Sequence, residues 1–156
     1  MIINLDIFRT KALSSNLEES VSAIDALIQF SDQIKDILLE SLSKTSNRFV
    51  ISERISMFCL SYIKGLHNLL HNQDTDLKFW AAALMMHYNL NNPEAEKILL
   101  ENISQGPIDY ATAAATILCR IKNVNVSNAI KIRLTDNTLT KELKDFFIEK
   151  LDNTNL

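Results

Sequence analysis

Three histidines, two cysteines and a line of evenly spaced carboxylates are the residues of this 156-residue chain whose types could do chemistry. His67 and His71 stand four apart, the spacing at which two imidazoles on one helix face can meet a single metal ion. Asn68 occupies the place where a zinc-protease helix carries glutamate, and no third ligand stands nearby in the sequence. The pair therefore reads as surface or boundary histidines near a helix end, where the backbone dipole mildly favours a cation. His87, in Met86-His87-Tyr88, reads as a boundary residue rather than a base. Nucleophilic catalysis needs Ser or Cys beside a base that a third group orients. No nucleophile elbow is present, and two glycines are too few to build a phosphate-cradling loop. The expectation is a binding protein rather than an enzyme, with no metal and no cofactor.

The most orderly charged feature is acidic. Glu18, Asp25, Asp32, Asp36 and Glu40 follow one another at steps of seven, seven, four and four, which places them within about 40° of one line on a helix. The bland reading is a solvated outer face. The sharper one is a stripe that steers and docks a basic protein partner, and these five are the candidate partner-binding residues. Arg120, Lys122, Lys131 and Arg133 make 107–135 locally basic, but aromatics are not interleaved as single-strand binding requires. With a formal net charge of −3, the whole chain argues against general phosphate-backbone binding.

The elements that position these residues must be helices. Two glycines and two prolines fall far below the usual shares of about 7% and 5%, leaving β-hairpins without their normal turn residues. Cys59 and Cys119 each sit in an apolar stretch and read as buried thiols in a reducing compartment. No apolar run approaches the ~18 residues of a membrane span, and Asp6 interrupts the N-terminal stretch before a signal-peptide core is established; a cytoplasmic location is expected.

After a short amphipathic start, Ser15-Asn16-Leu17-Glu18 has the spacing of a capping box and opens a helix expected to reach Leu42. A second, led by Asn47, runs to Leu70 and tolerates Gly65 at a cost of about 1 kcal/mol. Asp74 or Thr75 can cap the next, over 76–89, which carries two apolar stripes and leaves mainly Lys78, Ala82 and Asn89 for water. Asn92-Pro93 caps PEAEKILLENIS, and Gly106-Pro107 stops it, with a left-handed glycine as the expected device. A last amphipathic helix is expected over 139–151.

Within this order a period recurs. When the sequence is shifted along itself so that Asp76 falls on Asp109, Ala81-Ala82 falls on Ala114-Ala115 and Leu84-Met85 on Ile117-Leu118. With the shift lengthened by a single position, Ala95, Lys97, Ile98 and Leu100 fall on Ala129, Lys131, Ile132 and Leu134, as one extra loop residue would produce. Such a period marks a unit that cannot hide its apolar face alone and stacks on copies of itself.

Asp76, Ala81, Ala82 and Leu84, followed by Asn92-Pro93, Ala95 and Leu99, make residues 76–134 resemble HEAT-like α-helical repeats, more narrowly those of small bacterial HEAT-like proteins. The second unit departs in having Val126-Ser127-Asn128 in place of the proline, and the N-terminal half shows no clear copy. The resemblance implies a cofactor-free scaffold that binds macromolecules through a curved face. One all-α domain of six or seven helices is therefore expected: N-terminal helices over 1–72, a right-handed HEAT-like stack over 73–135 and a capping helix over 136–156. By analogy with helical immunity proteins, the expected role is to occlude a basic toxin nuclease; the alternative is an adaptor in another assembly.

Overall fold

The computed structural model describes residues 5–27, 34–44, 48–56, 63–88 and 90–154. Among them are ten helices and no strand: α1 (Leu5–Ala12), α2 (Leu17–Leu27), α3 (Ile34–Lys44), α4 (Arg48–Ser56), α5 (Ile63–Leu69), α6 (Thr75–His87), α7 (Pro93–Gln105), α8 (Ile108–Arg120), α9 (Val126–Leu134) and α10 (Lys141–Asp152). The chain is all-α, as its composition predicts. Ten helices exceed the six or seven expected. The amphipathic start forms a helix of its own, and each long N-terminal helix is described as two segments flanking residues outside the description. No helix among the described residues is long and apolar enough to cross a membrane.

The chain divides into two compact units, Met1–Trp80 and Ala81–Leu156, with the boundary inside α6. In the first, α1 packs on α2 and α3, and α4 packs on α2 and α3. Ala12, Ala23, Ile24, Leu42, Ile51 and Ile55 are buried there. The cap of α2 lies one position later than the sequence implies. Asn16 Oδ1 accepts from the Glu19 amide at 3.2 Å, and Ser14 Oγ accepts from the Asn16 amide. Ser15 is not the cap, because the asparagine carbonyl reaches the free amide first. Ser20 Oγ, fully buried, donates to the Ala12 carbonyl at 2.8 Å and so satisfies the end of α1 from within α2. Gly65 has a packing reason: a Cβ there would collide with Leu39 Cδ1, so α5 approaches α3 more closely than alanine permits without moving that leucine.

Burial of α6 goes further than two stripes. Every residue from Ala81 to Met86 is buried, Ala82 completely, so Ala82 does not face water as the helical wheel implies. Asp74 is the N-cap, its Oδ1 accepting from the amides of Asp76 and Leu77.

In the second unit α7 packs on α8 and α9, α8 on α9, and α10 on α8 and α9. The N-terminus of α7 follows the sequence closely: Asn92 Oδ1 accepts from Ala95 N at 2.9 Å, and proline takes the first turn. Its C-terminus does not. Gly106 is extended, at φ −75° and ψ 177°; among the described residues positive φ is found at Lys122, after α8, at 54°. Glycine is needed at 106 because a Cβ would lie 2.9 Å from both the Cα and the O of Asn102.

The terminal carbonyls of α7 are met by Arg133, only 7% exposed. Its Nε donates to Ile103 O at 2.6 Å, and its Nη2 to Gly106 O at 2.6 Å and Asn102 O at 3.2 Å. Placing a cation there also complements the negative end of the helix dipole. In the register that aligns Ala129 with Ala95, Arg133 takes the place of Leu99, a fully buried position.

Replacing Arg133 with Met, similar in length but without donors, should therefore take that partner from the buried Ile103 carbonyl and the part-buried Gly106 carbonyl, while Asn102 O keeps the Gly106 amide, and destabilise the chain by about 2–4 kcal/mol. Arg133→Lys should recover only part, since an ammonium lacks the planar fork. A lowered urea midpoint at unchanged slope is the expected reading; a midpoint unmoved by Arg133→Met would show that water meets those carbonyls instead. Gly106→Ala should cost about 1–3 kcal/mol by the same measurement, because backbone rather than a mobile side chain must yield.

Candidate partner-binding surfaces

The five carboxylates of the acidic line do not share one environment. Glu18 is exposed in the first turn of α2. Asp25, near the end of that helix, pairs with Arg54 Nε at 3.2 Å. Glu40 is drawn into the protein: its side chain is 16% exposed and lies between Lys44 Nζ at 2.6 Å and Arg9 Nη2 at 2.5 Å. The Lys44 hydrogen bond holds its carboxyl below the usual range, burial opposes, and Arg9 adds to the lowering. Asp32 lies outside the described residues and the side chain of Asp36 outside the described side chains. Two of the five thus already have cationic partners within the chain, a neutralisation that spacing along a helix cannot reveal.

A stronger charge cluster, without any signature in the sequence pattern, surrounds Arg48 at the start of α4. Its side chain is 12% exposed and its guanidinium meets Asp74 Oδ2 at 2.6 Å and Asp76 Oδ2 at 2.5 Å. It also donates to the carbonyls of Leu42 and Ser43. Arg48 therefore joins the end of α3 to the cap of α6. Asp76 Oδ1 accepts in turn from Trp80 Nε1 at 3.0 Å, and Trp80 stands edge-on to Phe49, ring centroids 5.7 Å apart. Phe49 is 58% exposed, which puts an uncovered aromatic beside a restrained tryptophan and a paired arginine. Those residue types are enriched where proteins dock. Asp74 is legible as a cap; nothing in the sequence marks its partner on a different helix.

His67 and His71 are exposed, with ring centroids 5.6 Å apart and planes nearly perpendicular. Among the described residues no group of three or more His, Cys, Asp or Glu side chains is gathered as a metal would require. His87 ends α6, and Arg120, ending α8, directs Nη2 at both its carbonyl and its Nδ1, each at 3.0 Å. With Arg120 so engaged and Arg133 buried, two of the four cations that make 107–135 look basic are committed within the unit. Cys119 is a half-buried free thiol whose Sγ faces the Lys150 carbonyl at 3.7 Å. Burial raises its pKa, the opposite of an activated nucleophile. Cys59 lies outside the described residues.

One concavity among the described residues is a groove of about 260 Å³ between α7 and α9. Leu100, Ala129 and Ile132 give it an aliphatic floor, and Glu101, Asn125 and Asn128 are among its polar walls. Asn125 Nδ2 donates to Glu96 Oε1 at 2.7 Å. That bond, with a second from Asn123, holds the Glu96 carboxyl below its ordinary range. No family model, curated protein or solved structure matches the chain, so these surfaces stand on their geometry.

The Arg48 cluster makes stability sensitive to acid. Its hydrogen bond to Asp74, with the amide of Leu77, lowers the Asp74 pKa. A depressed carboxylate contributes stability that is present above its unfolded-state pKa of about 3.9 and lost as pH falls through the lower, folded value. Asp74→Asn should therefore lower the melting temperature at pH 7 and shrink the difference between pH 7 and pH 3. Parallel melting curves for the two chains across that range would contradict the assignment.

Proposed function

We propose that the chain is a protein-recognition module whose C-terminal part is a HEAT-like stack of helical hairpins. One observation carries the architectural half of this reading: a single interval separates the starts of alternate helices. It runs from Thr75 of α6 to Ile108 of α8, from Ile108 to Lys141 of α10, and from Pro93 of α7 to Val126 of α9. Burial keeps the same beat. Ala81, Ala114 and Phe147 recur at that interval and are each fully buried, while Ala95 and Ala129, both buried, keep the interval one position longer. Helices two apart in the chain pack together, α7 with α9 and α8 with α10, as the layers of a stacked repeat do. Repeats of this kind present the outer faces of successive helices as one extended surface, and recognition is what such a surface does best.

The role of best fit is that of an immunity-type inhibitor, which occludes the active site of a basic toxin domain; an adaptor in another assembly is the alternative. Support for a basic partner is the net charge of −3 together with the exposed Glu18. Asp25 and Glu40 contribute less to any outward field, because each is paired within the chain. Steering by exposed charge acts mainly on the association rate and is screened by salt.

The experiment is capture of a partner from the native cell followed by association kinetics at low and high salt. Immunity-type inhibition predicts a one-to-one complex whose association rate falls about tenfold or more between low and high salt. Glu18→Gln, Asp32→Asn and Asp36→Asn together should slow association without lowering thermal stability, whereas Glu40→Gln should lower stability. An association rate indifferent to salt would refute electrostatic docking, and several weak partners would favour the adaptor.

A further inference from the structure

We infer that the groove between α7 and α9 is a docking site for an arginine side chain on a segment of the protein partner, an inference that rests on the recognition reading above and names its contact. Three observations converge on this occupant. The floor of the groove is aliphatic and uncovered: Ile132 is 46% exposed, beside half-buried Leu100 and buried Ala129. An arginine brings a three-carbon stem that covers such a floor while its charged head stays at the rim.

The walls supply acceptors where that head would arrive. Asn125 commits its amide nitrogen to Glu96, which turns Oδ1, an acceptor, the other way. Glu101 is the only ionisable side chain among the described residues that line the groove. Its partner Lys97 lies 3.8 Å away, beyond hydrogen-bond distance, and both side chains are mostly exposed, 66% and 74%. Such an ion pair is worth little and yields readily to a competitor with better geometry. A guanidinium has that geometry, with donors in a planar fork that suits a carboxylate and neighbouring amide oxygens together.

The carboxylates at the groove have the matching sign. At the Asn125 end the Glu96 carboxylate is held ionised by two neutral amides, Asn125 and Asn123, so its hydrogen bonds satisfy the carboxylate without cancelling its charge. A cation entering the groove therefore meets one carboxylate in the wall and a second behind Asn125. Lysine would meet the same charge without the fork, and a neutral side chain would gain only the floor.

The test uses the full chain, labelled with nitrogen-15, and the probe peptide acetyl-Leu-Arg-Leu-amide, with Gln and Lys replacing Arg in two control peptides. The expected result is a set of shifts at the side-chain amides of Asn125 and Asn128 and at backbone amides of 100–105 and 125–132, saturating in the millimolar range. The glutamine peptide should bind about fivefold more weakly, the lysine peptide should fall between, and Glu101→Gln should cost the arginine peptide a similar factor without changing the melting temperature. Shifts elsewhere, no shifts at all, or equal affinity for arginine and glutamine would overturn the site. If the captured partner still binds the Glu101→Gln chain but is lost on substitution of Glu18, Asp32 and Asp36, the groove is overturned and the recognition reading survives. Capture of no partner would instead count against that reading, whatever the peptide does.

Discussion

The carbonyls that end α7 finish inside the second unit, and a buried guanidinium from α9 satisfies them. Buried polar groups must find partners or destabilise the fold. Here the partner comes from α9, with Arg133 reaching Ile103, Asn102 and Gly106 together. This one side chain ties α9 to the end of α7. The groove with the aliphatic floor lies between the same two helices. A leucine at 133, in the register of Leu99, would leave the Ile103 and Gly106 carbonyls without that donor. The arginine exchanges some packing simplicity for polar contacts between α7 and α9.

The first unit uses the same device with different residues. Arg48 meets the carbonyls of Leu42 and Ser43 at the end of α3 and the carboxylates of Asp74 and Asp76 at the start of α6. In both units a largely buried arginine connects one helix end to another element, so each helix direction is set by polar contacts as well as by apolar burial. Helix ends carry the orphan groups that make such connections necessary. An all-helical chain with ten described helices has many of them. Surface charge is drawn into the same work, since Asp25 and Glu40 hold cations of their own chain.

How much of this is legible in the sequence depends on how far apart the partners lie. Local devices can be read: Asn92 and Pro93 opening α7, Asp74 capping α6, and the recurrence of Ala81-Ala82 at Ala114-Ala115. Each involves residues within a turn of one another or a repeated apolar pattern. Errors of one position arise where several capping residues compete, as with Ser14, Ser15 and Asn16. The stop at Gly106 is legible and its mechanism is not, because steric proximity to Asn102 depends on the turn the chain takes. A wheel that counts only apolar stripes leaves Ala82 to water, since alanine gives a stripe little weight in either direction. Arg48 and Arg133 look like ordinary surface cations, because a backbone carbonyl at the end of another helix leaves no trace in residue type. For the same reason the acidic line reads as a single surface although two of its members are already paired, and the α7–α9 groove has no signature in the sequence.

Native-state amide hydrogen exchange on the unmodified chain tests most directly whether α7, α8 and α9 behave as one stacked body. A stack joined through Arg133 predicts that the slowest amides of α7, α8 and α9 open together with a single shared free energy, at or near that of global unfolding. Amides of α9 that open alone, at a free energy well below those of α7 and α8, would contradict it.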